Sequence, residues 1–288
     1  MATWFDVVIA PLTYPFMVRG LVAAVIVGVV CALVGTYMVL RGMAFLGDAL
    51  AHAVLPGVAI GYILSGGARQ PIFWWGLGTG VLTAIGIGAI GKSAQVKEDT
   101  AIGIIFSGMF ALGIALISTM RSYAVDLSHF LFGNVLGVST GDLWLTGGLG
   151  ALVFLTVFIF YKEFLVLSFD PILAETLRLP AGTLRYLLLV LIALTIVVSL
   201  QTVGVALMVA MLTTPAATAY LLTKRMAPMM ALAALVGALS GIIGLYISYY
   251  VSVASGAAIV LVCTAIFLVV LLFAPRRGLL AQWRHASG

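Results

Sequence analysis

The sequence predicts an all-α protein: a polytopic transmembrane helical bundle of about eight or nine spans, with one short helix outside the membrane. Three observations lead there. Of 288 residues, 64% are hydrophobic and only 8% charged, against roughly 45–50% and about 25% in soluble domains. The mean hydropathy of +1.26 excludes a soluble enzyme, a disordered chain, a coiled coil and a nucleic-acid binder. The apolar residues also run on without a period of two. Such runs suit helices of about 20 residues and exclude an outer-membrane barrel, whose strands alternate.

The spans read at about 17–40, 43–64, 72–91, 101–119, 143–161, 185–204, 205–222, 229–250 and 256–274. The whole of 1–288 is expected to form one transmembrane domain, with a loop at about 163–182. Ahead of the first span, Trp4, Phe5 and Tyr14 suit an interfacial amphipathic segment. A basic leader stretch is missing, so no cleavable signal is expected. The sixth and seventh runs abut with almost no loop between them.

Lys and Arg set the orientation, because cytoplasmic loops carry an excess of them. With nine spans, one side receives eleven basic residues and the other receives Arg19, Arg69 and Arg121. The C-terminus and the 162–184 loop are therefore expected in the cytoplasm, and the 120–142 loop outside. Cys31 and Cys263 sit inside apolar runs and read as packing residues. Small-xxx-small pairs such as Gly57/Gly61, Gly76/Gly80 and Gly237/Gly241 read as close helix packing.

Residues 86–93 match the phosphate-binding pattern G-x-x-x-x-G-K-S letter for letter. That chemistry needs a strand before the loop and a helix after it. Here the pattern closes an apolar span, so Lys92 reads as a positive-inside anchor and no nucleotide site is expected.

An ionisable side chain inside a span costs at least about 2.5–3.5 kcal/mol and marks function by default. Asp48 is the acidic residue well inside a run, and His52 follows four residues later. That spacing puts both on one helix face. Carboxylate with neutral imidazole is half of a shell for Mn, Zn or Fe. A proton relay or a structural Asp–His hydrogen bond are the alternatives. Pro56 and Gly57 can break or kink the same helix where it lines a cavity. Arg41 is expected to snorkel or to pair with Asp48. In the external loop, Asp126, His129 and Asn134 read as an outer vestibule, a gate or a solvated docking surface. Gln201, Thr214 and Pro215 interrupt another apolar stretch, as pore lining or a kink.

Asp170 is a good N-cap and Pro171 suits the first helical position. Ala174, Glu175 and Leu177 continue a short helix that Pro180 is expected to stop. A partner subunit, rather than a span-to-span link, would need such a rigid knob; an incidental interfacial helix is the alternative.

The stretch from Arg41 to Gly57, with Gly47-Asp48-Ala49-Leu50-Ala51-His52-Ala53 at its centre, resembles a signature of the membrane subunits of bacterial metal-importing ABC transporters. The resemblance continues through 98–103, 126–137, 169–171 and 214–219 to 275–278, nearly the whole chain. It implies two copies of a permease, two cytoplasmic ATPase subunits gripping the 170–179 coupling helix, and an extracytoplasmic metal-binding protein. It implies that Asp48 and His52 are permeation-path ligands in a bacterial inner (plasma) membrane protein. The pattern looks most like the manganese and iron permeases, with zinc as the other cargo. No intrinsic cofactor is expected, and ATP belongs to the partner subunit. A proton-coupled secondary transporter and a zinc-specific ABC permease are the alternatives. A membrane hydrolase lacks a third ligand.

Overall fold

The computed structural model describes residues 9–66, 68–93, 97–119 and 135–274. Among these residues there is no strand, as lipid demands of a chain that must pair its backbone groups within each segment. The helices are α1 (Pro15–Leu40), α2 (Phe45–Ala53), α3 (Leu55–Ser65), α4 (Arg69–Ser93), α5 (Glu98–Ser118) and α6 (Thr140–Ile159). They continue as α7 (Tyr161–Phe169), α8 (Pro171–Thr176), α9 (Ala181–Val203), α10 (Val205–Leu222), α11 (Met226–Val251) and α12 (Ser255–Phe273). Nine stretches among the described residues are long and apolar enough to cross a membrane, with α2 and α3 together making one. They coincide with the nine runs read from the sequence. Ahead of them, Ala10–Thr13 forms a 3-10 turn.

Four local features refine the sequence expectation, two bearing it out (the break at Pro56 and the abutting sixth and seventh spans) and two departing from it. The second span is not continuous: α2 ends at Ala53, Val54 caps it, and α3 begins at Leu55. Pro56 is the cause, because it has no N–H to offer the His52 carbonyl four residues back; the last helical bond of α2 is the one from the Val54 N–H to the Leu50 carbonyl at 3.2 Å. The 162–184 segment is more helical than expected, since α7 resumes directly after a break at Phe160. The capped helix α8 ends at Thr176, well before Pro180. Its stop is Arg178, in the left-handed region at φ 57°, with Leu179 N–H donating to the Ala174 carbonyl at 3.0 Å and Arg178 N–H to Glu175 at 2.9 Å. Local hydrogen bonding thus closes the helix before the proline can. Fourth, α9 and α10 are separated by one residue, Gly204, at φ 82° and ψ 170°, backbone that a side chain would strain.

The described chain groups into two compact units. One comprises Met1–Thr36, Leu131–Gly150 and Thr202–Gly288. Its helices approach to backbone contact at small residues: a Cβ on Gly28 would stand 2.8 Å from the Gly237 carbonyl oxygen, and Gly241 faces Ala24. Thr146 and Thr202 share a buried hydroxyl hydrogen bond of 2.8 Å. The start of α6 carries a reciprocal cap, in which Ser139 Oγ accepts from Asp142 N–H at 3.1 Å and Asp142 Oδ2 accepts from Ser139 N–H at 3.1 Å.

The other unit comprises Tyr37–Phe130 and Ala151–Gln201. In it α3 packs on α4, and both α2 and α3 pack on α5. Gly57 and Gly61 meet Trp75 and Ile72 of α4, Gly76 meets Val58, and Gly80 meets Val54 and Val197. The glycine pairs are packing seats, as read from the sequence. The rings of Phe164 and buried Tyr37 meet edge to face, with centroids 5.7 Å apart.

Candidate metal pathway site

Asp48 and His52 both lie on α2, in its first and last turns. A carboxylate near the N-terminus suits the helix dipole. The turn before the helix is set by Gly42 at φ 70°, whose N–H returns to the Val39 carbonyl at 3.2 Å while Met43 N–H reaches Met38 at 2.9 Å. Leu46, Leu50 and Ala53 are fully buried, so the opposite face anchors the helix and leaves 48 and 52 turned to the open side.

Asp48 Oδ1 stands 3.6 Å from His52 Nε2. That is longer than a hydrogen bond and within reach of an ion pair. It is the separation that two ligands about 2.1 Å from one ion would subtend at roughly 115–120°. The side chains are 43% and 26% exposed respectively. His52 Nδ1 is buried and has no hydrogen-bond partner among the described residues.

An aromatic wall from α5 completes the surroundings. Phe110 meets the imidazole edge-on at 5.6 Å, Phe106 lies 6.3 Å from it, and the two phenylalanines stack at 5.7 Å. Phe45 packs edge-on to Phe106 at 5.9 Å. The sequence reading missed this wall, although the i, i+4 spacing of Phe106 and Phe110 was available as a signal. No group of three or more His, Cys, Asp or Glu residues gathers among the described residues.

Arg41 does not pair with Asp48. Its Nη2 donates to Glu98 Oε1 at 2.9 Å, at the first turn of α5. Glu98 also receives Arg185 Nη2 at 2.7 Å. Burial pulls the Arg41 guanidinium below its ordinary range, against the opposing pull of Glu98. The carboxylate in a helix first turn, between two cations, is a better partner than one seven residues along the chain.

The remaining predicted residues are scattered. Pro56 is buried against Gly113 of α5, and Gly57 against α4; both serve helix packing here. Pro215 lies inside the continuous helix α10, with Thr213 Oγ1 donating to the Val209 carbonyl at 3.0 Å and Thr218 Oγ1 to the Thr214 carbonyl at 2.7 Å. Gln201 is half-buried near the end of α9. Asp126, His129 and Asn134 lie outside the described residues.

On α8, Asp170 Oδ1 accepts the N–H groups of Ile172 and Leu173, both at 3.0 Å. Ala174 is buried, whereas Ile172 is 78% exposed, and Leu173, Glu175, Leu177 and Phe169 are exposed too. A capped helix showing this much apolar surface suits a partner. Residues 86–93 are the helical end of α4. Gly88 there seats Tyr186 and Gly91 seats Arg185, so no phosphate loop exists.

The model of the ABC 3 transport family matches residues 13–274. The chain is 52% identical over 268 residues to the manganese transport system membrane protein MntC of Listeria innocua, covering 93% of this chain and 94% of that one. It is 48% identical over 274 residues to the protein of the same name from Halalkalibacterium halodurans, covering 95% and 92%. Its fold is similar to a chain of PsaBC from Streptococcus pneumoniae in complex with Fab, at a TM-score of 0.83 and 40% identity, covering 99% of this chain and all of the other.

Proposed function

The chain belongs to the ABC 3 transport family, and on that premise we propose that it is the membrane permease subunit of an ATP-driven importer of divalent metal ions, with manganese as its cargo. The observation that carries the reading is the Asp48–His52 pair, 3.6 Å apart on a helix within an apolar span. The donor set suits manganese, iron or zinc, and the names of the relatives favour manganese.

In this reading residues 1–288 act as one permease domain in the bacterial inner membrane, with the C-terminus and α8 on the cytoplasmic side. An exposed carboxylate cannot face lipid without cost. A second copy of the chain therefore covers the pair and supplies the missing ligands across a shared pathway. An extracytoplasmic binding protein delivers the ion, and the 120–142 loop with Asp126, His129 and Asn134 receives it. The carboxylate offsets the ion's desolvation, and His52 binds it as neutral imidazole. ATP is hydrolysed on separate subunits that grip the exposed side of α8. Their movement opens the pathway alternately to each side, and the chain itself carries no catalytic residue.

The test is manganese uptake by the assembled complex in liposomes. Asp48→Ala and His52→Ala each abolish uptake and leave subunit assembly intact. Normal uptake by both variants overturns the site. Uptake by the chain alone under a proton gradient supports a secondary transporter instead. Metal analysis of cells with and without the gene separates manganese from iron and from a zinc-specific permease.

A further inference from the structure

Arg41, Glu98 and Arg185 are separated by tens of residues, yet they meet at one carboxylate oxygen. Glu98 Oε1 accepts from Arg41 Nη2 at 2.9 Å and from Arg185 Nη2 at 2.7 Å. Arg41 follows α1 in the turn that leads into α2, Glu98 opens α5, and Arg185 lies in the first turns of α9. The Arg185 guanidinium also rests on the end of α4, where a Cβ at Gly91 would stand 2.7 Å from Nη2. All of these residues lie within one compact unit.

The triad is poorly placed to be a mere stabiliser. The Arg41 side chain is 10% exposed, and its Nη1 is buried with no hydrogen-bond partner among the described residues. Arg185 Nε is in the same position. Charges held this way cost desolvation that apolar packing would avoid.

What the triad joins suggests a mechanical role. On one side, Arg185 lies nine residues after Thr176, the end of α8. On the other side, Arg41 lies seven residues before Asp48, and Glu98 is on the same helix as Phe106 and Phe110, which contact His52. A carboxylate shared by two guanidinium groups can be released by one without losing its charge partner. The start of α9 can then part from α5 while Arg41 still neutralises Glu98.

We propose that Glu98, shared between Arg41 and Arg185, is a positioning residue that couples movement of α8 and α9 to the α2–α5 wall around Asp48 and His52. The Arg185–Glu98 bond opens and closes during the transport cycle, while the Arg41–Glu98 bond holds α5 to the turn before α2. The proposal rests on α8 being the helix that the ATPase subunits grip.

The experiment uses the complete complex of permease, ATPase subunits and metal-binding protein in liposomes, with manganese as the probe. Uptake and ATP hydrolysis are measured in the same vesicles. In Glu98→Gln and Arg185→Gln, manganese transported per ATP falls by about tenfold or more, the scale of an ordinary coupling energy, while basal hydrolysis and manganese binding stay within about twofold. Arg185→Lys, which keeps the charge, restores much of the ratio. If Glu98→Gln does not assemble, the two Arg185 variants decide the matter, because they leave Arg41–Glu98 intact. A wild-type transport ratio in Arg185→Gln overturns the proposal. So does an equal loss in Arg185→Lys and Arg185→Gln. Failure of the underlying reading shows separately: Ile172→Glu on α8 would then leave ATPase association unchanged.

Discussion

The backbone carbonyl of Trp75 on α4 occupies the space in which Gly57 on α3 would carry a Cβ. Thr79 on α4 crowds the same point. Backbone cannot swing aside as a flexible side chain can, so any larger residue must push the two helices apart. Gly57→Val is expected to destabilise the protein by about 1–3 kcal/mol, the usual cost of overpacking. A thermal melt in detergent reads this as a lowered midpoint. Gly78→Ala on α4, where nothing lies within 4 Å of the added Cβ, leaves the midpoint unchanged. Similar losses in both variants would show that the α3–α4 contact does not matter.

Asp170 holds the first turn of α8 by accepting two backbone N–H groups. Removing that cap costs the helix about 0.5–2 kcal/mol, and a helix of six residues has little else to keep it formed. Asp170→Ala is therefore expected to weaken co-purification of the ATPase subunits, while Asp170→Ser or Asp170→Asn, which cap equally well, retains it. Ile172→Glu leaves the cap in place and weakens association through the exposed apolar surface alone. If Asp170→Ala binds the ATPase subunits as tightly as wild type, the cap has no part in docking.

Local patterns were legible in the sequence, and distant pairings were not. The nine candidate spans among the described residues follow from long apolar runs. The facing of Asp48 and His52 follows from helical spacing, and the start of α8 from Asp170-Pro171. The triad escaped because residues 41, 98 and 185 meet only through tertiary packing, and no local rule links them. For Arg41 the sequence offers only snorkelling or the near carboxylate of Asp48, because Glu98 lies 57 residues away. The early end of α8 escaped because it depends on Arg178 adopting left-handed backbone, which the arginine side chain does not announce. Pro56 did mark the break in the second span, but its neighbours Gly57 and Gly113 turned out to be packing seats.

Phe110 meets the His52 ring edge-on at 5.6 Å and limits where the imidazole can point. Edge-to-face contacts of this kind are worth about 0.5–1.5 kcal/mol. Phe110→Ala is accordingly expected to weaken manganese binding a few-fold to about tenfold, with Phe110→Leu intermediate and the thermal midpoint little changed. Equilibrium binding of manganese to the detergent-solubilised complex measures it. An unaltered affinity in Phe110→Ala would remove the aromatic wall from the site.

The G-x-x-x-x-G-K-S pattern at 86–93 yields the opposite of what a phosphate loop would. In such a loop the lysine reaches the nucleotide phosphates and its loss is fatal. Here the residues form the end of α4, and Gly88 and Gly91 make room for α9. A Cβ on Gly88 would lie 2.7 Å from Tyr186 Cε1 and 3.0 Å from Leu189 Cδ1. Lys92→Ala is therefore expected to leave ATP hydrolysis and manganese uptake by the complex at wild-type levels. Gly88→Leu should lower the thermal midpoint, because both Tyr186 and Leu189 must move. The purified chain without its partner subunits should show no ATP binding by equilibrium dialysis. Loss of hydrolysis in Lys92→Ala, with assembly intact, would instead place a nucleotide at the end of α4 and reverse the reading of this segment.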